Sequence, residues 1–407
     1  MKAVKIINDP VFGFINIPKG LLYDTLTHPI VQRLTRIRQL GLSSFVYPGA
    51  QHTRFQHSVG AFYLMSEAIS NLKAKGVEIT DDEAEAVEAA ILMHDLGHGP
   101  FSHVLEHTLV HDIEHEEISL LLMEKMNADL DGRLDLAISI YKDEYTKKFL
   151  HQLVSSQLDM DRLDYLRRDS FYTGVTEGNI GSARIIKMLN VKDDHLVIES
   201  KGIYSIENFL TARRLMYWQV YLHKTSVACE KMLINTLTRA KELASKGVEL
   251  FASPALHYFL YNDVTGDVFY HNEICLKTFI ELDDNDIWCA LKVWSSHPDI
   301  ILSSLSKGLV QRHLFKVEIN ERAFDTDYVT TLATKISREL AIPAEEAKRY
   351  MMQSTTLEKD MYSADDDKIE ILYSDGTTKD IAQASDMFNL SLLAKKVRKY
   401  FLCYYRL

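Results

Sequence analysis

The stretch Ile91-Leu92-Met93-His94-Asp95-Leu96-Gly97-His98-Gly99-Pro100-Phe101-Ser102-His103 sets three imidazoles and a carboxylate close together in the chain. A helical apolar pattern from Glu83 to Met93 runs into His94-Asp95 and is broken by Gly97, Gly99 and Pro100. The pair therefore stands at a helix end, with His98 and His103 in the turn behind it. Neutral imidazole beside carboxylate suits a divalent metal of the Fe, Mn, Zn or Co kind. Against a phosphoester such an ion would neutralise the oxygens that repel a nucleophile and lower the pKa of its own water.

Two residues do not close a metal site, so other segments must supply partners. His57 precedes an apolar-periodic helix carrying Val59, Phe62, Tyr63 and Met65, and Asp159, Asp161 and Asp164 lie in a second helical pattern downstream. Arg54, three residues before His57, can reach a phosphate oxygen at the metal with a fixed fork of donors. Glu106 follows His103 by about one helical turn, a spacing that lets a carboxylate orient the ring. Tyr165 and Asp169, four apart, are neighbours on one helix face.

One His, then His-Asp, then a distant Asp is the ligand order of the HD-domain phosphohydrolases, and the chain resembles that family. Among its branches it is similar to the deoxynucleoside triphosphate triphosphohydrolases. The likeness also rests on Asn8-Asp9-Pro10, Gln32-Arg33-Leu34, Ile37-Arg38-Gln39-Leu40-Gly41, Tyr47-Pro48-Gly49-Ala50, His115-Glu116, Asp164-Tyr165 and Tyr221-Leu222-His223-Lys224. It covers roughly residues 4–240, and more weakly to about 330.

The resemblance implies a divalent ion (Fe, Mn, Zn, Ni, Co or Mg) on His57, His94, Asp95 and Asp161. It implies that His98, His103 and His115 line a phosphate pocket, with His103 the candidate general acid and Glu106 beside it. Arg54, Arg213 and Lys224 would meet the phosphates, with Tyr221 one turn below among the substrate-binding residues, Tyr165 and Asp169 the sugar 3′-hydroxyl, and Gln39 and Leu40 the sugar and base. The implied reaction is dNTP hydrolysis at the α-phosphorus, giving deoxynucleoside and tripolyphosphate. It also implies a homo-oligomer (dimer, tetramer or hexamer) and an activating nucleotide. Thr27 and Thr35 stand where the animal enzymes carry charged readers of guanine, so guanine-specific activation is not expected. Arg33, Arg36 and Arg38 leave that neighbourhood basic.

The alternative is an HD phosphohydrolase acting on a nucleoside monophosphate, cyclic nucleotide or alarmone. Leu96-Gly97-His98 after the His-Asp pair lacks the acidic pair of the alarmone enzymes, and no Gly-Tyr-Pro follows the site as in cyclic-dinucleotide enzymes. A non-catalytic nucleotide sensor or scaffold is the further rival, and a full set of ligands speaks against it.

Composition agrees with an ordinary globular protein: 407 residues, 46% hydrophobic and 25% charged. The net charge of −11 argues against a nucleic-acid coat, which needs clustered cations. No apolar run of about 18 residues is present, so no membrane span is expected. The four cysteines form no C-x-x-C pair, which fits a reduced cytoplasmic chain.

By length alone two or three domains are expected. The fold class expected is mainly α: an HD-domain helical bundle over residues 1–325, its core near 50–170, with short β-hairpins and a small α+β appendage over 326–407. Hairpins are predicted at Val4–Ile17, near Val191–Tyr204 and around Asp375-Gly376. One uninterrupted helix is predicted over Ile206–Ser245, strands at Leu314–Ile319 and Tyr328–Leu332, and a final helix through Leu390, Val397 and Tyr404. Asp283-Asp284-Asn285-Asp286 reads as a helix cap, and His52, His107 and His111 as surface or cap residues.

Overall fold

A computed structural model of the chain describes residues 4–101, 103–106, 108–359, 362, 368–386 and 397–407. Helices dominate it, and three of them carry the chemistry-bearing residues. Helix α1 (Arg54–Ala74) starts at a capping box in which the Thr53 hydroxyl accepts from Gln56 N and the Gln56 side chain accepts from Thr53 N. Helix α2 (Asp81–Met93) starts in the same way at Thr80 and Glu83, with Asp81, Asp82 and Glu83 complementing the positive end of its dipole. It ends at His94, where the glycines begin. Helix α3 (Met160–Thr173) is capped by Asp159, which accepts from Arg162 N at 2.7 Å, and stops at Gly174 in the left-handed region (φ 75°). Helix α1 packs against both α2 and α3, so His57, His94 and Asp161 enter one space from three sides.

Gly60 makes the α1–α3 crossing possible. A Cβ there would fall 2.0 Å from both Asp164 Oδ1 and Arg168 Nη2. Gly60→Ala, which in an exposed helix would add about 1 kcal/mol of stability, is expected instead to destabilise by about 1–3 kcal/mol through overpacking. Urea unfolding checks the sign.

Helix α2 has a second anchor. Glu83 is buried and accepts from Lys147 Nζ (2.8 Å), Tyr145 Oη (2.7 Å) and Thr80 N (2.8 Å). Burial opposes its charge, but Lys147, Tyr145 and the Thr80 N–H outweigh burial and pull the carboxyl down to about 2. A depressed folded pKa stabilises above the unfolded value of about 4.3, and that stability is lost as pH falls towards 2. Glu83→Gln is expected to cost about 2 kcal/mol at pH 7 and to flatten the acid limb of a stability-versus-pH curve.

Residues 203–245 are not one helix. Helix α4 (Ile203–Met216) widens into a π-helical turn at Tyr217–Tyr221, breaks at Leu222, and restarts at His223 as α5 (Lys224–Ser245). No Pro or Gly marks the break; its partners are distant. Tyr221 Oη donates to Asp169, and Tyr47 Oη donates to the Gln219 carbonyl. A π-turn re-aims a side chain in this way.

Strands β1 (Val4–Asp9) and β2 (Gly13–Pro18) form the predicted N-terminal hairpin, with Ile15 and Ile17 buried and Val4, Ile6 and Phe14 exposed. Strands β3 (Leu189–Lys192) and β4 (His195–Glu199) form the second. Farther on come β5 (Lys316–Asn320), α6 (Thr326–Leu340), β6 (Met352–Lys359), β7 (Glu370–Leu372), β8 (Thr378–Asp380) and β9 (Val397–Tyr404). Strands β7 and β8 make the Asp375-Gly376 hairpin, and β7 joins β4 in parallel.

Two expectations fail in this region. Tyr328–Leu332 lies in α6, because Asp325 caps a helix that buries Leu332, Ala333 and Ile336; its β-branched and aromatic residues misstate the local preference. Val397–Tyr404 is strand, not helix. It is the central member of a β5-β9-β6 sheet, and Phe401, Leu402, Cys403 and Tyr404 are buried in succession as in a strand covered on both faces. Leu390 lies outside the described residues.

Asp283 forms the predicted cap. Cys229, Cys275 and Cys403 are buried and Cys289 is exposed. Among the described residues no helix is long and apolar enough to cross a membrane.

Candidate metal centre and nucleotide pocket

The two helix-borne imidazoles are each oriented from behind. His57 Nδ1 lies 2.7 Å from Asp164 Oδ2, and an ionised carboxylate only accepts, so Nδ1 carries the proton. His94 Nδ1 likewise donates to the Ile91 carbonyl at 2.7 Å. Both Nε2 atoms are thereby left facing one point, 3.2 Å apart. Asp161 Oδ1 completes the group at 3.0 Å from His57 Nε2 and 3.5 Å from His94 Nε2. Asp95 stands alongside, with Oδ1 3.4 Å from His94 Nε2 and Oδ2 3.8 Å from His57 Nε2.

These separations fit a divalent cation. Bonds of about 2.1 Å at tetrahedral or octahedral angles set neighbouring ligand atoms about 3.0–3.4 Å apart. The donor set of two imidazoles and two carboxylates is the intermediate kind that takes Fe, Mn, Zn, Co or Ni. The electrostatics agree. Burial opposes a charged His57, yet Asp161 and Asp164 hold its pKa up at about 10. Burial opposes a charged Asp161, yet His57 and His94 hold it far below the carboxylate range. Such a field favours positive charge at its centre.

The turn behind His94 is fixed by a contact that spacing did not reveal. Gly97 N donates to Ser119 Oγ (2.8 Å), which donates to the His94 carbonyl (3.0 Å). A Cβ on Gly97 would fall 1.9 Å from the His115 carbonyl. The turn is thus pressed against the start of the His115–Asp129 helix, and His98 stacks on His115 with centroids 3.9 Å apart. His98 Nε2 is 3.4 Å from Asp95 Oδ1. Burial and then Arg54 drive its pKa down to about 3, so His98 stands here as a neutral ring rather than the cation its residue type allows. His115 Nδ1 lies 3.3 Å from Glu116. His103 and Glu106 bound a one-turn helix; their side chains, and all of His107, lie outside what is described. Arg54 Nη1 donates to Asp95 Oδ2 at 2.6 Å.

A second cluster forms farther along α3. Asp161, Tyr165 and Asp169 follow one another at i, i+4 and i+8, each step advancing about 6 Å. Asp169 accepts from Tyr221 Oη (2.8 Å) and lies 2.7 Å from His52 Nε2. His52, expected at the surface, is buried and stacked on Tyr172 at 4.5 Å. Its carbonyl accepts from Gln39 N at 3.0 Å, which brings Gln39 and Leu40 to the same end. Gln39 Oε1 is buried with no partner among the described residues. Tyr165 and Tyr221 meet edge to face at 6.1 Å. Arg213 donates to Gln157 at 3.0 Å, and Lys224 is exposed at the first turn of α5.

Arg162, beside Asp161 and close to Tyr165, adds a cation that sequence reasoning missed. Arg33 does not keep the Gln32 neighbourhood basic. It is fully buried, donates to the carbonyls of Leu96, His98 and Leu282, and covers Phe279. Arg36 is paired with Asp283 at 2.5 Å.

Comparison with known proteins agrees with this geometry. Residues 54–169 match the HD domain, and residues 180–252 the HD associated region. An uncharacterized protein of Bacillus subtilis, YwfO, is 31% identical over 94% of this chain and 88% of its own length. The deoxynucleoside triphosphate triphosphohydrolase SAMHD1 homolog of Dictyostelium discoideum is 32% identical over 59% of this chain, which spans about half of that protein. The crystal structure of a phosphohydrolase from Bacteroides thetaiotaomicron superposes with a TM-score of 0.97 at 70% identity, over 99% of this chain and 100% of that one.

Proposed function

The chain belongs to the HD-domain phosphohydrolases, in their SAMHD1-like branch, and on that footing we propose that it is a metal-dependent dNTP triphosphohydrolase. The substrate would be cleaved at the α-phosphorus to deoxynucleoside and tripolyphosphate. The observation that carries this reading is the two-ended site along α3. The ligand cluster sits at Asp161, and a buried polar cluster of Asp169, His52 and Tyr221 sits two helical turns away.

His57, His94, Asp95 and Asp161 would hold the cation. When bound, it supplies charge neutralisation at the phosphate and an activated water. The other roles belong to the chain itself. Arg54, anchored on Asp95, brings its guanidinium to the phosphate end of the site. His98 and His115 line the same end, the first as a neutral ring. At the far end Asp169 accepts a sugar hydroxyl with the lone pairs that His52 and Tyr221 leave, and Gln39 Oε1 adds an acceptor. The Tyr165 and Tyr221 rings wall this end, which favours a sugar lacking the 2′-hydroxyl. Assembly of several copies of the chain is part of the same reading, supported by the exposed Val4, Ile6 and Phe14 on the N-terminal hairpin.

The test is chromatography of products from the Mn²⁺-loaded enzyme with each dNTP, each ribonucleotide and a set of monophosphates and cyclic nucleotides. Tripolyphosphate from dNTPs, with ribonucleotides slower, supports the proposal. Turnover of monophosphates or cyclic nucleotides without tripolyphosphate would assign the site to another phosphoester.

A further inference from the structure

A line of buried charge runs from the N-terminal hairpin to the back of the metal centre. In the hairpin turn Asp9 Oδ1 accepts from Val11 N and Phe12 N, each at 2.9 Å. Its other oxygen, Oδ2, accepts from Arg168 Nη1 at 2.7 Å. Arg168 then grips both oxygens of Asp164, Nε to Oδ2 at 2.9 Å and Nη2 to Oδ1 at 3.0 Å. Asp164 Oδ2 in turn accepts from His57 Nδ1 at 2.7 Å. Asp9, Asp164, Arg168 and His57 are all buried, none more than 4% exposed. The Phe12 ring pins the turn to both neighbouring helices, 5.1 Å from Tyr63 on α1 and 4.7 Å from the Arg167 guanidinium on α3.

We propose that Asp9 and Arg168 are positioning residues of the metal centre: through Arg168 and Asp164, the hairpin turn holds the His57 imidazole at its ligating angle. The inference rests on the metal-centre reading above. Three charges enclosed in a core are a poor way to gain stability, because well-packed apolar side chains of similar volume serve as well or better. What the charges do provide is direction. A two-point grip leaves the Asp164 carboxylate no freedom to rotate, so the proton of His57 Nδ1 stays aimed and Nε2 stays on the cluster. One net negative charge over Asp9, Arg168 and Asp164 also raises the basicity of the ring as a ligand. Gly60 leaves the space this grip occupies.

The experiment uses the full chain, stripped with chelator and titrated with Mn²⁺ in a calorimeter, alongside thermal unfolding of the metal-free protein. Asp9→Asn and Arg168→Lys are each expected to weaken Mn²⁺ binding by about tenfold to a hundredfold. They should lower kcat and leave KM for nucleotide within about twofold. Mn²⁺ affinity equal to the parent's in either folded variant, whatever its melting temperature, overturns the proposal. If Asp9→Asn does not fold, Arg168→Lys, which keeps the charge, decides. Failure of both to fold without metal assigns the charges to stability alone and overturns it too. The underlying reading fails separately: then the parent binds no Mn²⁺, or Asp161→Asn binds it as the parent does.

Discussion

Asp161→Asn is expected to leave a folded protein that no longer retains a divalent metal and hydrolyses nucleotide at least about 10³-fold more slowly, about 4 kcal/mol in the activation barrier. The substitution keeps the volume of the side chain and removes its charge. Asp161 Oδ1 faces both converging Nε2 atoms, at 3.0 Å from His57 and 3.5 Å from His94. Without it the imidazoles face a neutral amide, and the cation loses one of its two carboxylates. Stability should change little, because the Asp161 side chain keeps 30% of its exposure and lies at the start of its helix. Metal content by elemental analysis, tripolyphosphate release and a denaturation curve together check the separation of function from fold.

Asp164→Leu is expected to damage both. Asp164 is fully buried and accepts three donors, one from His57 and two from Arg168. Removing it leaves the Arg168 guanidinium in the core with Asp9 alone and His57 Nδ1 without its acceptor. Breaking a buried ion pair from one side costs about 3–5 kcal/mol, so urea unfolding should show a loss of that size. Metal retention should fall with it. The contrast between Asp161 and Asp164, three residues apart on α3 and on opposite sides of the same imidazole, is the sharpest expression of how the site is built.

Much of this site was legible from residue types and order. The order His57, His94-Asp95, Asp161, the apolar helical pattern that runs into His94 and the glycines after it are local signals, and they mark the elements that deliver the ligands. What was not legible depends on contacts between distant segments. His52 looks like a loop histidine until the Arg38–Thr53 bridge turns it inward onto Asp169. Ser119 carries no motif, yet it ties the His94 turn to the next helix. The π-turn at Tyr217–Tyr221 is hidden in a run that contains no Pro or Gly. The charged line through Asp9 and Arg168 joins residues 159 positions apart. The last strand failed for a different reason: a strand buried on both faces has no alternation, and its apolar run reads equally well as helix.

The most direct test of the central claim is anomalous diffraction from crystals grown with Mn²⁺ and measured at the manganese edge. One anomalous peak is expected about 2.0–2.3 Å from Nε2 of His57, Nε2 of His94, and a carboxylate oxygen of each of Asp95 and Asp161. A peak elsewhere, with these four side chains bare of metal or with His57 turned from the cluster, would contradict the account.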